Sequence, residues 1–201
     1  MSKVAILSDV HGNLRALRAV LREVDSLGVE VLAVAGDIIG YGAHPGECIE
    51  LVQDLGALAV LGNYESYADR AEQRGLAHAE PEEAAGPVAA LVRTVRNLSP
   101  EQMQWIRQLR LTEVLAPNAV MAHATLHEPE KWHYLHHARD AQPTLDLMRD
   151  KGIELGFFGH THSQRWFAHP GVNSAANAGN CSCQGVNLCR DGRGGGSPQW
   201  R

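Results

Sequence analysis

Apolar and polar positions follow two different periods along the first third of the chain. Short β-prone apolar runs alternate with stretches in which apolar residues recur at helical spacing. This pattern predicts three strands, at residues 3 to 8, 30 to 35 and 57 to 61. It predicts helices after the first two strands, at residues 14 to 27 and 45 to 55, with Gly28 placed to end the first helix. Such alternation is typical of a parallel α/β core.

The rest of the chain predicts a mixture of helices, strands and loops. Residues 68 to 87 favour a helix followed by an exposed loop. Further helices are predicted at residues 88 to 97, 100 to 109 and 141 to 151. Further strands are predicted at residues 111 to 115, 119 to 122 and 153 to 158, the first two turning at Pro117-Asn118. The last thirty residues are small, polar and rich in glycine, so we expect poor order there.

Five short segments place acids, histidines and an amide beside these predicted strands. They are Asp9-Val10-His11, Gly36-Asp37-Ile38-Ile39-Gly40, Gly62-Asn63-Tyr64-Glu65, Met121-Ala122-His123-Ala124 and Gly159-His160-Thr161-His162. Ligands gather at the carboxyl ends of parallel strands, where the first three segments fall. Two divalent ions need carboxylates and imidazoles that converge from several strand ends, with one carboxylate bridging. The five segments together therefore predict a two-metal site.

The individual segments differ in how much they indicate alone. An isolated Asp-x-His is weak evidence, and Gly-Asp is common in turns. A single histidine such as His123 more often makes a structural hydrogen bond at a strand end. The pair His160 and His162 is stronger, because two imidazoles directly after a buried strand are costly to bury and have few structural uses.

These segments resemble those of the calcineurin-like metallophosphoesterase superfamily, and they are most similar to its small single-domain bacterial and archaeal members. The resemblance covers about residues 3 to 168. It implies an α/β fold, a four-layer αββα sandwich with two facing mixed β-sheets and a dimetal site at the strand C-terminal ends. It implies that one ion is held by Asp9, His11 and His162, the other by Asn63, His123 and His160, with Asp37 bridging. The implied ions are manganese, or else iron, zinc or nickel.

The implied reaction is hydrolysis of a phosphate ester by in-line attack of a hydroxide that bridges the two ions. The candidate catalytic residues are Asp37, Asn63, His123 and Tyr64. Many relatives have a histidine where this chain has Tyr64, followed by an acid, here Glu65. A tyrosine with a pKa of about 10 donates a proton poorly near neutrality, which favours substrates with good leaving groups. Tyr64 packing on the rim of the site is the alternative.

Two other regions bear on function. The connection from Leu126 to Arg139 is the predicted lid over the site, in which Trp132 and Tyr134 either stack on a base or aryl group or anchor the loop. Its additional histidines are expected to be exposed.

The chain divides into a metallophosphoesterase domain, residues 1 to 170, and an atypical tail, residues 171 to 201. Relatives continue with further strands, whereas here Trp166-Phe167-Ala168 and Gly171-Val172 are the segments that fit.

Composition limits the partners. The chain has 201 residues, 44% of them hydrophobic, which suffices for one domain with its own core. A net charge of −5 disfavours nucleic acid and anionic lipid, but a small anionic substrate remains possible because metal ions can supply positive charge locally. The resemblance implies that this substrate is a small phosphorylated molecule. No apolar segment approaches the length of a membrane span, so we expect none. One isolated cysteine, Cys48, and three clustered near the end do not form a disulfide framework, so a cytoplasmic location is expected.

Three functions remain open at this point. The first is a metal-dependent phosphatase or phosphodiesterase. The second is a dinucleoside polyphosphate hydrolase, which uses the same chemistry. The third is a scaffold that retained the fold without catalysis; the complete ligand set argues against it, whereas Tyr64 and the tail argue for it.

Overall fold

Eight strands and six α-helices make up the part of the chain that the computed structural model describes, residues 3–76, 86–168 and 186–189. The helices are α1 (Leu14–Ser26), α2 (Pro45–Asp54), α3 (Asn63–Gln73), α4 (Gly86–Arg96), α5 (Pro100–Gln108) and α6 (Ala138–Lys151). The strands are β1 (Val4–Leu7), β2 (Val31–Val34), β3 (Leu58–Ala59), β4 (Thr112–Ala116), β5 (Ala119–Ala122), β6 (Leu155–Phe158), β7 (Arg165–Ala168) and β8 (Val186–Cys189). A 3-10 turn spans Pro129–Lys131.

The first sheet contains β1, β2 and β3 in that order, and all of its described pairings are parallel. Helices α1, α2, α3 and α5 contribute to the apolar cluster on its outer face, which includes Leu17, Ile49 and Ile106. The predicted alternation of strand and helix is confirmed here. One boundary differs, since α3 begins at Asn63, five residues before the predicted helix.

The second sheet has the order β4-β5-β6-β8-β7 and mixes both directions of pairing. β4 and β5 form the predicted antiparallel pair, and β5 runs parallel to β6. Helix α6 covers the outer face, where Leu145 and Met148 pack against Ala122 and Phe158. Helices therefore lie outside both sheets.

The two sheets meet through a small inner cluster. Ala33, Ala35 and Val60 from the first sheet region pack against Met121 of β5, and all four side chains are buried. Side chains alternate across a strand, so Val34 points to the helices while Ala33 points to the second sheet. The four layers implied by the sequence resemblance are thus confirmed, and the sheet ends lie side by side at one edge.

The tail prediction lies largely outside the described residues, as do Gly171-Val172 and the loop at residues 77–85. The exception is β8, which pairs antiparallel with β6 and parallel with β7 and so belongs to the second sheet. Its sequence, Val-Asn-Leu-Cys, lies inside a polar, glycine-rich segment. The pattern of apolar residues in that segment therefore does not predict a strand. Among the described helices, none is both long and apolar enough to cross a membrane.

Candidate metal centre

The first group of potential ligands joins the end of β1 to the turn after β6. Asp9, His11 and His162 each offer one ligand atom, and these atoms lie within 4.8 Å of one another. The Nε2 atom of His162 is 3.3 Å from Oδ1 of Asp9 and 3.0 Å from Nε2 of His11. Two imidazole nitrogens that face each other at this distance suit shared coordination of one cation.

The second group lies beside the first, between the ends of β2 and β5. Asp37, His123 and His160 again offer three ligand atoms within 4.8 Å of one another. Oδ1 of Asn63 is 2.9 Å from Nε2 of His123 and adds a neutral oxygen to the same position. The side chain of His123 is completely buried, so protein groups rather than solvent satisfy its ring nitrogens.

Asp37 lies between the two groups. Its Oδ2 atom is 3.4 Å from Nε2 of His123 and 3.8 Å from Nε2 of His11. Its other oxygen, Oδ1, accepts a hydrogen bond of 2.8 Å from the backbone N–H of Tyr64. The structure therefore brings together all seven predicted ligands, with the carboxylate of Asp37 in the position that a bridging ligand requires.

Backbone carbonyls orient three of the histidines. Nδ1 of His123 donates to Ala35 O at 2.7 Å, and Nδ1 of His11 lies 3.2 Å from Ile39 O. On His160 it is Nε2 that donates, to Trp132 O at 2.9 Å. A ring nitrogen that donates to a carbonyl leaves the other nitrogen unprotonated in the neutral ring, so each of these contacts directs a lone pair to the centre.

The electrostatics fit this donor set. Burial lowers the pKa of His11, and burial together with His123 lowers the pKa of His160 to about 4, so both rings are neutral, as a metal ligand must be. Burial raises the pKa of Asp37, but its histidine neighbours outweigh this and lower it. Burial lowers the pKa of His123, but Asp37 outweighs this and raises it to about 9. Acceptor atoms are concentrated at this centre and favour positive charge. This is the environment expected for bound cations.

Most of the ligands have an unusual backbone conformation. Positive φ angles between 50° and 66° occur at Asp9, His11, Asp37, His160 and His162. Non-glycine residues in this region are uncommon and cost about 1 kcal/mol or more each, and they concentrate at functional sites. The turns after three different strands are therefore shaped to aim side chains at the centre rather than for local stability.

Glu65 stabilises the backbone around the centre by accepting hydrogen bonds, a role that was not predicted from the sequence. Its side chain is fully buried. Oε2 accepts the backbone N–H groups of Asp37 and Gly62, both at 2.9 Å, and Oε1 accepts those of Ile38 at 2.8 Å and Ile39 at 3.1 Å. Burial and the charge of Asp37 raise the pKa of Glu65 to about 7. An acid three residues after the cap of a helix is the sequence signal that points to this role.

Close backbone approach explains two glycines at the centre. A Cβ atom on Gly62 would collide with the backbone N and Oδ1 of Asp37, and it would lie 2.6 Å from Glu65 Oε2. A Cβ atom on Gly159 would collide with Ser8 Oγ and lie 2.6 Å from Asp9 Oδ2. Both positions therefore require glycine, because each lets one strand end lie directly against a ligand from another.

Tyr64 packs inside the site. Only 7% of it is exposed, and its ring meets the ring of His11 edge-on at 5.2 Å. Burial and the hydroxyl of Tyr41 raise its pKa further above the ordinary value. Tyr64 can therefore donate a hydrogen bond, but it keeps its proton even more firmly than an exposed tyrosine does.

The connection after β5 covers the second group, as predicted for a lid. The ring of Tyr134 stacks on His160 with 4.0 Å between centroids, and Trp132 supplies the carbonyl that His160 binds. Trp132 thereby anchors the loop to the centre. The additional histidines at 133, 136 and 137 are exposed, as expected, and His127 bonds to Thr144 through Nδ1. Within the described residues, none of them joins a ligand group.

Over residues 2–164 the sequence matches the family model of the calcineurin-like phosphoesterases, so this chain belongs to that family. It is similar to an uncharacterised protein of Methanocaldococcus jannaschii, with 32% identity over 164 residues that cover 80% of this chain and 63% of the relative.

Solved structures are similar as well. A metallophosphoesterase from Sphaerobacter thermophilus matches with a TM-score of 0.63 and 32% identity, over 80% of this chain and 60% of the other. A protein proposed to be a diadenosine tetraphosphatase matches with a TM-score of 0.50 and 26% identity, over 63% and 51%. The chain thus spans less than two thirds of the length of these relatives.

Proposed function

We propose that the chain is a dinuclear metal-dependent phosphoesterase, a phosphatase or phosphodiesterase that hydrolyses a small phosphorylated substrate. The observation that carries this proposal is the position of Asp37, whose one oxygen, Oδ2, faces His11 of the first ligand group and His123 of the second. A carboxylate shared in this way suits two adjacent divalent ions. Manganese is the proposed metal, and iron, zinc and nickel accept the same oxygen and imidazole ligands.

The bound ions would lower the pKa of an attacking water and stabilise charge on the phosphoryl oxygens. The chain's own residues position this chemistry. Asn63 is a neutral ligand and so adds no repulsion toward a phosphate. The ring of Tyr64 lies beside that of His11, and its proposed role is to donate a hydrogen bond to the leaving oxygen. Because Tyr64 holds its proton firmly, the proposal includes a preference for leaving groups that need no proton.

The test is hydrolysis of p-nitrophenyl phosphate and bis(p-nitrophenyl) phosphate by metal-stripped protein, with and without added manganese. Asp37→Asn is expected to reduce turnover at least about 100-fold, since loss of the shared carboxylate removes several kcal/mol of stabilisation. Asp54→Asn, at the exposed end of α2, is the matched control and is expected to keep full activity. Metal-loaded wild-type protein that left both esters intact would contradict the proposal and favour the scaffold function.

A dinucleoside polyphosphate hydrolase is the second candidate. It is favoured by the similarity to the protein proposed as a diadenosine tetraphosphatase and by a cleft of about 500 Å³ that opens beside the first ligand group. Incubation with diadenosine tetraphosphate, followed by chromatography of the nucleotide products, distinguishes this activity from simple ester hydrolysis.

A further inference from the structure

The cleft beside the first ligand group contains side chains that the metal centre does not use. One end is formed by Asp9, His11 and His162, and the other includes Arg15 and Tyr41. Its volume of about 500 Å³ falls within the range of 300–1,000 Å³ that is usual for small-molecule sites. The cleft is therefore large enough for the part of a substrate that extends beyond the reacting phosphate.

Tyr41 gives this cleft an aromatic surface. Its side chain is 55% exposed, although its ring centroid lies only 4.7 Å from that of His11 and 4.8 Å from that of Tyr64. One face of the ring is thus supported by the site while the residue remains open to solvent. An exposed, supported aromatic ring beside a reaction centre is suited to stacking on a flat group of the substrate.

Arg15 gives the cleft a positive charge. It is exposed in the first turn of α1, and among the described residues no carboxylate forms an ion pair with it. The neighbouring His44 is already engaged, since its Nδ1 lies 3.0 Å from Oε1 of Glu47. Asp9 shares the cleft, but its side chain is only 1% exposed and is held by the backbone N–H of His160. The guanidinium is therefore available to an anion from outside.

The walls of the cleft are fixed to each other. The backbone N–H of Gly42 donates to His11 O at 2.6 Å, and that of His44 donates to Gly12 O at 3.1 Å. These bonds join the segment that carries Tyr41 to the turn that precedes Arg15. The backbone segments that carry Tyr41 and Arg15 are thus fixed relative to the ligand group, which reduces the ordering cost of binding.

We propose that this cleft is a substrate subsite for an aromatic group that carries a second phosphate, as in a nucleoside di- or polyphosphate. The ring stacks on Tyr41, the second phosphate binds the guanidinium of Arg15, and the reacting phosphate lies at the metal centre. The position of the reacting phosphate at the metal centre rests on the proposed function. The stacking on Tyr41 and the contact of the second phosphate with Arg15 concern binding alone and are tested separately.

The kinetic test compares three substrates: the monoesters glycerol 2-phosphate and phenyl phosphate, and ADP, whose terminal phosphate is released by cleavage of a phosphoanhydride bond. We expect Arg15→Ala to lower the ratio of kcat/KM for ADP to that for glycerol 2-phosphate about tenfold or more, as expected when a charge-assisted contact to phosphate is lost. We expect Tyr41→Ala to lower the values for phenyl phosphate and ADP, relative to glycerol 2-phosphate, about fivefold. Arg22→Ala is the matched control, because Arg22 is exposed on the same helix about 10 Å further along.

The binding test uses calorimetry with the methylene-bridged analogue of ADP and the 201-residue chain. Affinity that falls about tenfold in Arg15→Ala, but not in Arg22→Ala, supports the subsite even if no ester is hydrolysed, in which case the proposed function alone fails. Equal affinities in the two arginine variants, or absence of binding by the wild-type protein, overturn the subsite even if simple esters are hydrolysed.

Discussion

Glu65→Gln tests whether the metal centre depends on a buried carboxylate that need not bind a metal. The substitution keeps the size and shape of the side chain but replaces one oxygen with an NH2 group. In the wild-type protein the two oxygens accept four backbone N–H groups, from Asp37, Ile38, Ile39 and Gly62. In the variant two of these N–H groups face a donor instead of an acceptor.

The magnitude follows from these contacts. A hydrogen bond to a charged acceptor contributes about 1.5–3 kcal/mol, so two lost bonds cost about 3–6 kcal/mol. Removal of a buried charge offsets part of this cost. We therefore expect the free energy of unfolding to fall by about 3 kcal/mol, which is a large fraction of the stability of an ordinary domain.

The assay is urea unfolding of metal-free protein at pH 8, where Glu65 is ionised because its pKa is about 7. Glu23→Gln, an exposed position on α1, is the control and is expected to change stability by less than about 0.5 kcal/mol. Manganese affinity, measured by calorimetry, is expected to fall in Glu65→Gln because the turn that carries Asp37 loses its support. Indistinguishable unfolding midpoints for Glu65→Gln and Glu23→Gln would refute the reasoning.

Two further predictions concern the metal and the leaving group. Manganese at 100 times its dissociation constant is expected to stabilise the fold by about 2.7 kcal/mol for each site that it fills. For a chain of this size, at about 2–4 °C per kcal/mol, each filled site is expected to raise Tm by about 5–11 °C. Differential scanning calorimetry with manganese or chelator checks this, and equal Tm values would contradict it. Tyr64→His is expected to raise the ratio of kcat for glycerol 2-phosphate to kcat for p-nitrophenyl phosphate about tenfold or more, because an imidazole donates protons near neutrality. An unchanged ratio would show that Tyr64 does not limit the choice of leaving group.

The sequence was sufficient for the parts of this site that depend on residue type and strand position. Asp9, Asp37 and Asn63 follow strands of one parallel sheet, and chain direction alone brings such positions to one edge. The assignment of His162 to one ion and His160 to the other came from the resemblance, and the structure places the two histidines in different groups accordingly. The alternation of strands and helices in the first sheet was predictable from the two periods of its apolar residues.

Other features could not be predicted because they depend on tertiary contacts. The carbonyl of Trp132 orients His160, and a backbone group carries no signal of residue type. The early start of α3 at Asn63 is stabilised by the carboxylate of Glu65, which accepts the N–H of Gly62 as well as groups from another segment. β8 has one apolar pair in a polar segment. Its pairing with β6 and β7 identifies it as a strand, whereas the periodicity of its residues does not.

The candidate ligands of each group come from both sheets, so a bound ion would have a topological effect as well as a chemical one. His11 and His162 are 151 positions apart in sequence, and both groups require a residue from the turn after β6. An ion bound there would act as a reversible cross-link between the two ends of the domain, one that is present only while the chain is folded. During synthesis neither group is complete until His160 and His162 have emerged. Metal binding at these groups would therefore be a late event that follows the joining of the two sheets.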